Sequence, residues 1–155
     1  VRLAIVALGR LSRGPEAELV NDYIARAHAT GRALGFGAVE VVEIESRKSG
    51  KGAEGEALLA ALTGFDQICA CDEHAPVSTS RGFAERIAAS RDRGVRRAAF
   101  VIGGADGLAP AVLARADLSM SFGPQTWPHA LARAMLAEQI YRAVSILAGA
   151  PYHRD

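Results

Sequence analysis

The chain is poor in lysine. Of its 18 basic residues only Lys48 and Lys51 are lysines, and the rest are arginines. Against 17 acidic residues the net charge is only +1, which excludes a polycation that holds nucleic acid by bulk charge. A local basic patch remains open, and arginine, with its planar fork of donors, suits phosphates and carboxylates. Cysteine is scarce too. Cys69 and Cys71 are the only two. They sit too close in one strand for an unstrained disulfide and fall short of a zinc framework, so the chain reads as reduced and cytoplasmic. No run approaches the ~18 apolar residues of a membrane span. Val1 to Leu8 is too short for a signal peptide and lacks its cleavage region. A Walker-type phosphate loop is missing, and so is the Gly-x-Gly-x-x-Gly fingerprint of dinucleotide binding in the first βα unit.

What remains is an ordinary globular composition. The 155 residues are 50% hydrophobic and 23% charged, and their length suits one domain, residues 1–155. Leu3 to Leu8 is a continuous apolar run, as in a strand buried on both faces. A helix is expected from Pro15 to about Leu34, with Leu19, Tyr23, Ile24 and Ala27 on its apolar stripe. Val39 to Glu45 alternates like a half-exposed strand. Glu54 to Leu62 reads as a short helix and Asp66 to Cys71 as a third strand. Ser80 reads as the cap of a helix to about Arg91, with Phe83 and Ile87 inward. Ala98 to Ile102 is a fourth strand, Pro110 to Arg115 a short helix, and Leu118 to Ser121 a short fifth strand. The last helix has Pro128 in its first turn and runs to about Leu147. Ala132, Leu136, Ile140, Ala143, Val144 and Leu147 form its stripe. Strands separated by helices imply an α/β fold, a parallel sheet with helices on both faces.

Ligands in such sheets bind outside the carboxyl ends of the strands. The segments there are Cys71-Asp72-Glu73-His74, Gly103-Gly104-Ala105-Asp106-Gly107 and Phe122-Gly123-Pro124-Gln125-Thr126-Trp127. The glycine cluster permits close backbone approach to a ligand, and a plain turn explains it equally well. Cys69, Cys71 and His74 have no visible fourth ligand, so they read as core or pocket lining and no metal is expected. His28, in the first helix, reads as surface or satisfied core. In the C-terminal third, Glu138 and Arg142 are spaced for an ion pair on one helix. The tail Pro151-Tyr152-His153-Arg154-Asp155 packs stacking and phosphate-binding side chains into five residues. With Arg133 and Arg142 it offers the chemistry used on single-stranded RNA.

Four segments carry a resemblance over essentially the whole length. They are Phe100 to Leu108, Thr126-Trp127-Pro128-His129, Glu138 to Ala143, and Pro151-Tyr152-His153-Arg154. The chain resembles the ribosomal RNA large subunit methyltransferase H family, small SPOUT-class enzymes. The resemblance implies S-adenosylmethionine bound in a C-terminal trefoil knot, and methylation of N3 of a pseudouridine in helix 69 of 23S rRNA on the ribosome. It implies a homodimer, with groups from both subunits converging on the substrate. Carried over, the cofactor contacts are Cys71, where the family usually has Leu, Gly103 and Gly104, and the segment Phe122, Gly123, Pro124, Gln125, Thr126 and Trp127. His129, Arg142, Tyr152, His153 and Arg154 are the candidates for substrate positioning and catalysis. His129, His153 or water is expected to accept the N3 proton. A ribosome-binding factor of the same fold without methyl transfer is the alternative.

Overall fold

Period-2 alternation sorts the side chains of each inner strand onto two faces of one sheet. The computed structural model describes residues 1–153. It contains β1 (Arg2–Leu8), α1 (Pro15–Gly31), β2 (Val39–Ile44), α2 (Lys51–Ala61), β3 (Gln67–Cys71), α3 (Ser80–Asp92), β4 (Arg97–Ile102), α4 (Pro110–Arg115), β5 (Leu118–Met120) and α5 (His129–Ala148). All strand pairs are parallel, in the order β2-β1-β4-β3-β5. The sheet was thus expected correctly, with helices on both faces.

Leu3, Ile5 and Ala7 of β1, with Ala98, Phe100 and Ile102 of β4, face a core closed by α1, α3 and α5. Ala4, Val6 and Leu8, with Ala99 and Val101, face a second core closed by α2 and α4. Phe83 of α3 meets Phe100 edge to face, with ring centroids 5.4 Å apart. Leu136, Ile140, Ala143 and Val144 of α5 are fully buried, as the helical stripe predicts. His28 accepts the Val39 N–H at Nδ1, 3.3 Å away, and is satisfied.

The strand ends shift by a residue, and the helix ends and caps differ more. α1 ends at Gly31, and a 3-10 turn from Arg32 to Leu34 carries the chain on. α2 begins at Lys51, ahead of the expected Glu54. The cap of α3 is Thr79, whose Oγ1 accepts the Gly82 N–H. Ser80 instead donates to Gln139 Oε1 of α5 at 2.7 Å. Pro128 stands at the N-cap of α5, just before its first turn.

Candidate active site

The loops leaving β3, β4 and β5 meet at a cleft of about 320 Å³, outside the carboxyl ends of the strands. In the β4 loop, a Cβ on Gly103 would lie 2.6 Å from the Gly107 carbonyl oxygen, so no larger residue fits without moving the backbone. Gly107 donates its N–H to Gly104 O at 3.0 Å and has a φ of +78°, which favours glycine. Against Gly104 lies Glu54 of α2. A Cβ on Gly104 would sit 3.0 Å from its Oε2, and that enclosed oxygen has no hydrogen-bond partner among the described residues.

The loop after β5 is tied down by its own side chains. Ser121 Oγ accepts the Gly123 N–H at 3.0 Å and lies 2.9 Å from Gly123 O. The Trp127 indole folds back to donate to Phe122 O at 3.3 Å. Thr126 Oγ1 donates to Glu73 Oε2 at 3.1 Å, joining this loop to the one after β3. All the residues expected to hold a cofactor line the cleft except Pro124, and His129 at the start of α5 lines it too. Burial raises the Cys69 thiol to about 11 and the Cys71 thiol well above its ordinary value. Both cysteines are free and stay protonated near neutral pH, so neither is a poised nucleophile.

Arg142 and Tyr152 lie elsewhere, on α5 and the tail. Arg142 Nη2 is 2.6 Å from Glu138 Oε1, and Tyr152 donates its hydroxyl to the same oxygen at 3.0 Å. Gln139 donates to the other oxygen. The Arg142 guanidinium sits 5.0 Å from the centre of the Tyr152 ring, and Tyr141 packs against that ring at 4.5 Å. Glu138 therefore holds an arginine and the tail in one cluster. Its hydrogen bond raises the Arg142 pKa further. Burial, with hydrogen bonds involving Tyr23 and Glu138, pushes the Tyr152 phenol upward. His153 is half-buried, and Arg154 lies outside the described residues. Between this cluster and the cleft runs a second groove of about 590 Å³. Ser121, Phe122 and Gly123 line both spaces.

A family model described as "Predicted SPOUT methyltransferase" matches residues 1–153. A ribosomal RNA large subunit methyltransferase H of Phenylobacterium zucineum is 64% identical over 155 residues, covering 100% of both chains. One from Caulobacter sp. strain K31 is 57% identical, again covering 100% of both. The chain belongs to the ribosomal RNA large subunit methyltransferase H family of SPOUT methyltransferases. A probable methylase family protein from Haemophilus influenzae shares the fold, with a TM-score of 0.54 at 10% identity over 99% of this chain and 70% of that one.

In this SPOUT methyltransferase Arg133 is not a substrate contact, contrary to the expectation from sequence. It is 3% exposed. Its guanidinium bonds Glu43 Oε2 at 2.8 Å and the carbonyls of Leu8 and Gly9 at 3.0 and 3.1 Å. It clips α5 to the ends of β1 and β2. Sequence reading placed Glu73 in a loop at the ligand end of the sheet without giving it a role, and missed Glu54 and Lys51 as neighbours of the cleft. Each is an ordinary charged residue placed at the cleft by the tertiary fold, so no local pattern marks it.

Proposed function

We propose that this protein methylates N3 of a pseudouridine in helix 69 of 23S rRNA, with S-adenosylmethionine as methyl donor, acting as a cytoplasmic homodimer on the assembled ribosome. The observation that carries this reading is the cleft. Three loops meet there, and Gly103 and Gly104 leave backbone where a Cβ would collide. A volume of about 320 Å³ falls within the range of small-molecule sites. The cofactor fits these residues: Cys71, Phe122 and Trp127 supply apolar walls, while Gly103, Gly104, Gly123, Gln125 and Thr126 supply backbone and polar contacts. Pro124 shapes the same loop without lining the cleft.

When bound, S-adenosylmethionine supplies a methyl group already activated by its positive sulfonium. The protein's own work is to hold N3 in line with that methyl, which is catalysis by proximity and orientation. As the new bond to N3 forms, the N3 proton must leave. His129 lines the cleft and can take it as a neutral imidazole; His153 and water are the other acceptors. Arg142, Tyr152, His153 and Arg154 would position the RNA.

The separation of the tail cluster from the cleft supports a homodimer. Arg142 and Tyr152 do not line the cleft of their own chain. A second copy seated in the 590 Å³ groove would bring a tail to it. The groove is lined by apolar groups, including the exposed Leu19 and Val77. The trefoil knot is supported by the strand order: the crossover from β4 to β5 passes beyond β3, and the chain then returns to start α5.

The test uses labelled S-adenosylmethionine and intact ribosomes that lack the modification. Label confined to one helix 69 pseudouridine is expected. No label there, with ribosome binding retained, would leave the reading of a binding factor without chemistry.

A further inference from the structure

Arg133 is buried and Arg142 is paired with Glu138, so holding an RNA strand calls for cations beyond the tail cluster. Two loops leave the sheet beside the cleft. β1 and β2 pair with Leu8 opposite Ile44, and Gly9 donates its N–H to Ile44 O at 2.8 Å. The chain segments that follow therefore emerge side by side. They carry Arg10, Arg13, Arg47, Lys48 and Lys51, all exposed and including both lysines of the chain. Lys51 lines the cleft itself, so the basic edge is continuous with the site.

The acids among them are largely engaged. Arg10 pairs with Glu45 at 3.4 Å. Glu43 is held by buried Arg133 and by the Leu11 N–H. Glu16 lies in the first turn of α1, and Glu54 is enclosed against Gly104. Among the described residues, the side chains of Arg13, Arg47, Lys48 and Lys51 make no ion pair. Lysine acts as a mobile point charge on phosphate, and arginine as a fork.

We propose that the loops after β1 and β2 form a phosphate-binding rim that grips the RNA backbone as the target strand enters the cleft. This rests on the rRNA reading and adds the surface that would hold the strand. Phosphate contacts fix register without reading sequence, which suits an enzyme whose cleft must accept a single base.

The test compares two variants that lose equal charge. Arg13→Gln/Arg47→Gln/Lys48→Gln changes the rim. Arg2→Gln/Arg93→Gln/Arg96→Gln changes exposed arginines near the opposite, amino-terminal ends of β1 and β4. Ribosome binding is measured by co-sedimentation across a salt series, and S-adenosylmethionine binding by calorimetry reports on the fold. The rim variant is expected to bind ribosomes at least about tenfold more weakly at ~0.15 M salt. Its log K against log salt slope should be shallower by about 2, since each lost phosphate contact removes ~0.7–0.9. Cofactor affinity should hold, and the opposite-end variant should change binding less than about threefold. Equal loss in both variants, or none in the rim variant, overturns the proposal. If the rim triple loses cofactor binding, Arg47→Gln and Lys48→Gln are measured singly, and unchanged ribosome affinity in both overturns it. Wild-type binding without methyl transfer overturns only the activity, whereas no wild-type binding overturns both.

Discussion

Gly103 is the most sterically constrained residue of the cleft. A methyl group there meets the Gly107 carbonyl at 2.6 Å, and that neighbour is backbone, so the loop must move. Gly103→Ala is expected to weaken S-adenosylmethionine binding by about tenfold or more, equivalent to ~1.4 kcal/mol; calorimetry reads it, and unchanged affinity would mean the loop does not touch the cofactor. His129 is tested by a different separation. His129→Gln should lower kcat while leaving cofactor affinity intact, and His153→Gln is the companion variant. Unchanged turnover in both removes imidazole as the proton acceptor. Cys69 gives a pH prediction. Burial moves its thiol from near 9 to about 11, while the unfolded chain ionises near the ordinary value. Between about pH 9 and 11 the unfolded state therefore holds fewer protons than the folded one, and stability falls as pH rises through that window. Replacing Cys69 with Ala should flatten that slope in urea titrations.

At the scale of elements, α5 joins the parts of the molecule. Its buried face packs against the sheet, its start carries His129, and its middle holds Glu138. Arg133 fixes it to β1 and β2 through Glu43 and two carbonyls. Arg133→Met strips those acceptors of their partner and should cost about 2 kcal/mol in urea unfolding, since Glu43 and the two carbonyls lose a charged donor. Adding Glu43→Gln should recover part of it, because the stranded charge is then gone. This clip shows where sequence reading stops. Strands such as Leu3 to Leu8 were legible because burial on both faces leaves a continuous apolar run. The α5 stripe was legible because 3.6-residue periodicity is local. Arg133 was not, because its carboxylate partner lies 90 residues away, and an arginine bound for the interior looks like one bound for phosphate. Thr79 and Ser80 are adjacent hydroxyl residues, and only the backbone angle at Thr79 decides which one caps the helix. The cleft residues were legible chiefly through resemblance, since backbone loops leave little signature beyond glycine.

At the scale of the whole molecule, the cleft and the tail cluster are separate sites on one chain. If a second copy completes the site, Leu19→Glu on the exposed face of α1 should convert the dimer to monomer in sedimentation velocity. Methyl transfer should be lost and cofactor binding retained; a dimeric, active variant would place the interface elsewhere. The segment Ser121 to Gly123 has one surface on the cleft and another on the groove. Hydrogen bonds between Ser121 and Gly123 tie it together. If a second copy seats in the groove, as the homodimer reading holds, this shared segment would couple the two spaces. Whatever factor the cofactor adds to the affinity of the neighbouring copy, that copy must return to the cofactor. On that homodimer reading, apparent methyl-donor affinity would be a function of protein concentration, and with favourable coupling dilution alone would act as an inhibitor.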